Sequence, residues 1–330
     1  MRLLFALILT LLIVPGYAGE PRLALPSGRA SLVAERVALH PDDPRVRRTG
    51  RLRFLGGVAL SSHDPGFGSF SALHVAGDRF VLLGDGGNLL AFRIGADWRP
   101  REARLFPLPG GPGTGWRKLD RDSESLAHDP RTGRWWVAFE SRNEIWRYAP
   151  GFAHARRGRM PPAMARWNRG GGPEAMTRLA DGRFVVISES TRPKLPRGPD
   201  RPRTRLGLIF AGDPTDPRVW AAPFTYRPGP GYDPVGLAEL SDGRVLVLER
   251  GFDLPFRWPT RLVLLERGAI RPGAVAAGRE LGRLEPPLVA DNFEGVAVVR
   301  ENGRDVVWLV SDDNGTVLQR TLLLKFALEG

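Results

Sequence analysis

The sequence predicts an all-β protein built as a β-propeller, and three observations carry that reading. One short pattern returns five times, its copies begin at Ser71, Glu124, Glu174, Val235 and Glu294, and helical periodicity is almost absent. The copies lie roughly 50 to 60 residues apart, in the range of the ~40–50-residue propeller unit or a little longer, enough for four short strands each. In each copy a small or acidic residue precedes an apolar pair. A turn follows, then a β-rich run that ends in a carboxylate.

The worn first copy reads Phe70-Ser71-Ala72-Leu73, turns at Gly77-Asp78-Arg79 and runs from Phe80 to Asp85. The second opens with Asp122-Ser123-Glu124-Ser125-Leu126, turns through Asp129-Pro130-Arg131-Thr132-Gly133 and runs from Trp135 to Glu140. The third joins Pro173-Glu174-Ala175-Met176 through Asp181-Gly182-Arg183 to a run ending Ser188-Glu189. The fourth joins Pro234-Val235-Gly236-Leu237 through Asp242-Gly243-Arg244 to a run ending at Glu249. The fifth joins Phe293-Glu294-Gly295-Val296 through Gly303-Arg304-Asp305 to a run ending Ser311-Asp312. Asp-Gly between apolar runs marks a hairpin, since the turn needs φ > 0 and glycine adopts it without strain. Val, Ile, Phe and Trp fill the runs as packed strands require. Glu144–Arg147, Leu206–Phe210, Arg261–Leu265 and Thr321–Leu328 fit as further strands toward the outside. Five units are visible, and Leu32–Leu60 together with the C-terminal strands is expected to close a sixth blade. Sandwiches in series are the alternative, but no linker composition separates the units.

Residues 1–18 are expected to be a signal peptide, with Arg2 as a short positive region, Leu3–Val14 as the apolar stretch and small residues before cleavage at Ala18. The apolar stretch is shorter than the ~20 residues of a spanning helix. Residues 19–330 are then a single domain, periplasmic or secreted from a bacterium, and monomeric. The chain has no cysteine, which excludes disulfides, thiol catalysis and Cys-based zinc sites. The formal charge of +12 comes almost wholly from arginine, with lysine only at 118, 194 and 325. This basicity favours anionic or phosphorylated small molecules or an anionic cell envelope. The basic residues are scattered and no recognition helix is visible, so a nucleic-acid partner is not expected. Thr191–Arg205 is Pro/Arg-rich and is expected to be an irregular basic loop, either a lid over one face or a solvated insertion.

Propeller symmetry brings equivalent positions of the repeats together near the axis. Glu124, Glu174 and Glu294 share one place at the start of the unit. Glu140, Glu189, Glu249 and Asp312 are expected to share another at the end of the second strand. The sequence therefore predicts a ring of acids. Carboxylates crowded in a cleft raise each other's pKa unless a hard cation, arginine or backbone N–H groups compensate. Arg142, Arg169, Arg192 and Arg250 lie close by in sequence. His74 and His128 are expected to be packed residues, and Trp135, Trp136, Trp146 and Trp308 to be core. Gly170-Gly171-Gly172 lacks the lysine and helix of a phosphate loop, and no serine sits in a nucleophile elbow.

These motifs resemble the bacterial phytase-like family, also described as proteins with esterase-like activity of the phytase family. The resemblance rests on Asp122-Ser123-Glu124-Ser125-Leu126 with Phe139-Glu140, on Gly172-Pro173-Glu174-Ala175 with Ser188-Glu189, and on Asp291-Asn292-Phe293-Glu294-Gly295-Val296-Ala297 with Ser311-Asp312-Asp313-Asn314. Leu322-Leu323-Leu324-Lys325-Phe326 fits the closing strand, so the match spans roughly Arg51 to Leu328. The first unit departs from the family pattern, reading Gly68-Ser69-Phe70-Ser71-Ala72-Leu73 and Gly84-Asp85-Gly86-Gly87. The resemblance implies export, a propeller and phosphoester or ester chemistry. On this reading Glu124, Glu174 and Glu294 are the expected catalytic carboxylates. Calcium or another divalent cation is held by Glu124, Glu140, Glu174, Glu189, Glu294, Asp312 and Asp313. Arg142, Arg169, Arg250 and Lys194 contact the substrate. Two other readings of the same acids remain: a non-catalytic envelope propeller that binds a ligand or protein, and a calcium-dependent lactonase-like enzyme.

Overall fold

The computed structural model describes residues 4, 23–24, 26, 28–193, 203–254 and 257–329. Nearly all regular structure in them is β, and the α-helix Lys118–Arg121 is a single turn. The strands form five separate sheets, antiparallel throughout except where the short strand Val275–Ala276 pairs parallel with Ala221–Tyr226. Each sheet begins on an inner strand: Phe70–Ala76, Ser123–Asp129, Ala175–Arg178, Tyr232–Glu239 and Asn292–Glu301, in blades 1 to 5. Each inner strand packs beside the next, and the fifth returns to the first, so the ring closes.

The blade number follows from packing. Alternate side chains of a strand point to opposite faces, so each sheet feeds two different cores. Trp135 packs toward blade 1 with Leu83 and Leu89, while its neighbour Trp136 packs toward blade 3 with Phe184 and Phe210. The same alternation gives one apolar cluster at each of five blade junctions, the last joining blade 5 to blade 1 through Val310, Trp308, Phe80 and Leu82.

The expected sixth blade is corrected to five. Leu52–Ser62 does pair with Thr321–Leu328, but as the fourth strand of blade 5, and Leu32–Arg36 adds a fifth strand outside it. The chain thus closes the ring by sharing one sheet between segments far apart in sequence. The runs expected as outer strands, from Glu144, Leu206, Arg261 and Thr321, are the third strands of blades 2 to 5. His74 and His128 pack edge to face, with ring centroids 4.7 Å apart, beside Trp135. Trp146 is only partly buried, unlike the other three tryptophans.

Candidate functional site

One irregularity, repeated in the inner strands, builds the site. In blade 1, Phe70 faces Gly84 and Ala72 faces Leu83, so Ser71 has no partner of its own. Glu124 is skipped in the same way between Ser123 and Ser125, Val235 between Pro234 and Gly236, and Glu294 between Phe293 and Gly295. Glu174 stands just before the first paired residue of blade 3. A β-bulge re-aims the extra residue and bends its strand. Here it turns Ser71, Glu124, Val235 and Glu294 to the axis, and Glu174, just ahead of its strand, takes the equivalent place. Ser71, Glu124, Glu174, Val235 and Glu294 all line one axial cavity of about 20 Å³, open to a single water-sized sphere.

The residue after the bulge must be small where strands converge. A Cβ at Gly295 would lie 2.4 Å from the Val310 side chain, and one at Gly236 would lie 2.9 Å from the Glu294 carbonyl oxygen.

The register also sets the second ring. Asp85 donates its N–H to Ser69, Glu140 to Asp122 and Glu189 to Gly172, while Arg250 pairs with Asp233 and Asp312 with Asn292. The second ring is therefore Asp85, Glu140, Glu189, Arg250 and Asp312. The expected place of Glu249 in it is corrected by one residue. Glu249 is fully buried away from the axis, where its carboxylate accepts hydrogen bonds from the Tyr226 hydroxyl, the Gly229 N–H and Arg261. Its neighbour Arg250 takes the axial place.

Arg250 then acts as the counter-charge within the ring. It donates to Glu189 at 2.7 Å, to Asn292 at 2.9 Å and to Glu294. Asn292 in turn donates to Glu294 and to Asp312, at 3.0 and 3.3 Å. On the far side Lys118, carried by the segment between blades 1 and 2, lies 2.6 Å from Asp85. The glycine run supplies N–H groups: Gly171 and Gly172 both donate to Glu140. Ser141 donates to Asp122.

Other expected residues sit elsewhere. The Asp313 carboxylate is engaged by the Ser69 and Gly315 N–H groups and the Thr321 hydroxyl, tying blade 5 to the loop before blade 1. Arg142 is exposed, 3.7 Å from Asp120, and Arg169 is exposed with no ion pair among the described residues. Lys194 and most of the Pro/Arg-rich loop lie outside the described residues, as does nearly all of the segment assigned to a signal peptide.

Two groups of three carboxylates come close enough to share a cation. Asp122, Glu124 and Glu140 form one, and Glu140, Glu174 and Glu189 the other, the oxygens within each lying within 4.8 Å of one another. Glu140 belongs to both. The donors are all carboxylate oxygen, which suits a hard divalent cation such as Ca²⁺.

A family model described as "Phytase-like: Esterase-like activity of phytase" matches residues 65–315, which contain every one of these groups. The chain belongs to the phytase-like family. No curated protein matches it. Solved structures similar to it include an α-L-arabinofuranosidase from Podospora anserina (11% identity, TM-score 0.48, covering 92% of this chain and 98% of that one). A luciferin-regenerating enzyme (11% identity, TM-score 0.41) covers 80% of this chain and 95% of its own. The β-propeller domain of Cps50 (Swd1) from Myceliophteria thermophila (10% identity, TM-score 0.40) covers 93% and 99%. Likeness at this level says nothing about activity.

The electrostatics of this phytase-like ring follow from burial and crowding. Glu124 and Glu174 retain some exposed area, but they face the narrow axial cavity. Burial holds both carboxyls well above the usual range, and neighbouring carboxylates add to it: Glu294 and Asp122 for Glu124, Glu124 and Glu189 for Glu174. Burial also raises Glu294 and Glu189, although Arg250 opposes it, and raises Asp85 against Lys118. Asp312 is pushed up to about 8 by burial and Glu294. Asp122 is pushed up to about 6 by burial, with Glu140 adding to the rise. Glu140 runs the other way. Burial would raise it, but hydrogen bonds with Glu174 and from Gly171 and Gly172 outweigh that and lower it. A carboxyl held above its usual range thus stands beside one held below it.

Proposed function

We propose that this protein is an exported hydrolase of phosphoesters or related esters that depends on a divalent cation. The observation that carries the reading is the pair of three-carboxylate groups joined at Glu140. Crowded, buried carboxyls, most of them held above their usual range, are what a cation site looks like before loading. Asp122, Glu124, Glu140, Glu174 and Glu189 would hold the cation. A cation there would polarise the ester oxygen and stabilise charge developing on it.

The chain's own residues have separable parts in this reaction. Glu140, held low by hydrogen bonds from Gly171 and Gly172, is placed to accept a proton from an attacking water and to return it to the leaving oxygen, while Glu174 serves with Glu124 as a ligand. Arg250 holds Glu189 and Glu294 in position through a guanidinium whose donors are already largely engaged. The axial cavity admits nothing larger than a water or an ion, so the substrate approaches from the loop side of the second ring. Arg142 and Arg169 are exposed there and available to anionic groups.

The test is hydrolysis of p-nitrophenyl phosphate and p-nitrophenyl acetate by the full chain, with calcium, manganese or magnesium and with chelator. Cation-dependent turnover that falls by about 10²-fold or more in Glu140→Gln and Glu174→Gln is the expected result. A wild-type protein inactive on both esters with every cation would leave a binding propeller as the better account. Export predicts that secreted protein begins at Gly19, which N-terminal sequencing reads directly.

A further inference from the structure

The large apolar side chains left in solvent are unevenly placed. Trp116, Leu119, Phe252, Leu254, Val317 and Leu318 are all exposed, Leu254 at 78%, Leu318 at 82% and Val317 at 101%. Chain direction puts all six on one face. Every inner strand starts at the acid mouth, and every second strand ends there. The loop holding Phe252 and Leu254 leaves the second strand of blade 4, Val245–Gly251, at that end. The loop holding Val317 and Leu318 leaves the second strand of blade 5, Arg304–Asp312, in the same way. Trp116 and Leu119 lie on the segment that runs from the outer strand of blade 1, Pro100–Pro107, to the start of Ser123–Asp129. Trp220, between the third and fourth strands of blade 3, is exposed on the opposite face.

Charge on the same loops is equally one-sided. Arg142, Arg166, Arg169, Arg227, Arg257 and Arg320 are exposed there, while fully exposed carboxylates on these loops are, among the described residues, Asp253 and Glu285. The acids of the mouth are recessed at the axis, where Arg250, Lys118 and the Gly171 and Gly172 N–H groups engage several of them. Each apolar loop tip therefore stands beside arginine: Arg117 next to Trp116, Arg257 close after Leu254, Arg320 close after Leu318. Apolar tips flanked by cations are the pattern of a surface that lies in the headgroup boundary of a bilayer, the apolar groups entering it and the guanidiniums meeting phosphates.

We propose that the acid-mouth face docks on an anionic lipid surface, through the loop tips at Trp116, Phe252–Leu254 and Val317–Leu318 and the arginines that flank them. Charge complementarity selects lipid phosphate: on the loops of this face exposed arginines outnumber exposed carboxylates, and the exposed apolar tips stand among those arginines. The inference does not rest on the hydrolase reading, since neither the loop tips nor the flanking arginines belong to the carboxylate groups.

The absence of cysteine allows a direct test. Leu254→Cys, Val317→Cys and, on the opposite face, Trp220→Cys are each labelled in the full chain with an environment-sensitive fluorophore. Vesicles of phosphatidylcholine with and without phosphatidylglycerol are then added. The labels at 254 and 317 should shift to the blue with the anionic vesicles only, and the label at 220 should stay unchanged. The double variant Arg257→Glu/Arg320→Glu, labelled at 317, should need on the order of tenfold more anionic lipid for the same shift. Labels at 254 and 317 as silent as that at 220 would overturn the proposal, even if the protein sedimented with vesicles through residues 3–14. An equal response to zwitterionic vesicles, or a response only to added protein, would overturn it too.

Discussion

Burial, with Glu124, Glu189 and Glu140 around it, holds the Glu174 carboxyl well above the usual range, and this couples cation binding to pH. A cation that takes the carboxylates as ligands must displace protons held by Glu124 and Glu174. Calorimetry in buffers of different ionisation enthalpy should therefore show proton release on calcium binding, and affinity should rise with pH; binding without proton release would contradict the raised carboxyls. The same groups set the stability of the cation-free protein. Asp122 and Asp312 have folded-state pKa values of about 6 and about 8, above the ordinary 3.8. Between pH 4 and 8 the folded state thus binds more protons than the unfolded one, so their contribution to stability falls as pH rises. In chelator, Tm should be higher near pH 5 than near pH 8, and calcium should offset the loss at the higher pH. Arg250→Met strips Glu189 and Glu294 of their counter-charge. Leaving buried charges unpaired costs about 3–5 kcal/mol, so denaturant unfolding in chelator should register a loss of that order, with calcium restoring part of it. Equal stability of wild type and variant would mean that Glu189 and Glu294 are simply protonated.

The bulged inner strand is the element that converts a repeat into a site. It depends on close approach between neighbouring strands at Gly236 and Gly295. Gly295→Ala should destabilise by about 1–3 kcal/mol through overpacking, read by urea unfolding, whereas Gly303→Ala, in the open turn of the same hairpin, removes no packing. Gly303 has φ +77°, so its substitution strains the backbone, and a larger loss there than at Gly295 would argue against the packing account. The bulge also explains what was legible in the sequence. Glu124, Glu174 and Glu294 stand at one place in three copies, so symmetry alone brought them together. Glu249 ends its run as Glu140 and Glu189 do, yet register, not run length, decides which residue reaches the axis, and that residue is Arg250. Asp85 was visible at the end of the worn copy, but only pairing with Ser69 aligns it with Glu140. Lys118 comes from a connecting segment outside the repeat, so no periodicity could mark it. The sixth blade failed for a related reason: Leu52–Ser62 reads as a strand, but nothing in a strand's own composition says which sheet it completes.

At the scale of the whole molecule, the cation should act as a ligand of the native state alone, since Asp122, Glu140 and Glu189 come together only when blade 2 packs against blade 3. Calcium at a hundred times its Kd should then add about 2.7 kcal/mol of stability, seen as a concentration-dependent rise in Tm that Glu140→Gln abolishes. A Tm indifferent to calcium would assign the ring's protons and Arg250 the whole task of compensating its charge.

Blade 5 holds one further consequence, for the order of events in time. Its sheet takes Leu52–Ser62 and Thr321–Leu328 as neighbours, so residues about 270 positions apart must meet before any ring exists. A chain emerging from the ribosome carries Leu52–Ser62 unpaired on that side until almost everything else has been made. Blades 1 to 4 can condense during that interval, but the axis stays open. Such a polypeptide locks late: the ring closes only when Thr321–Leu328 has been made and can take its place beside Leu52–Ser62.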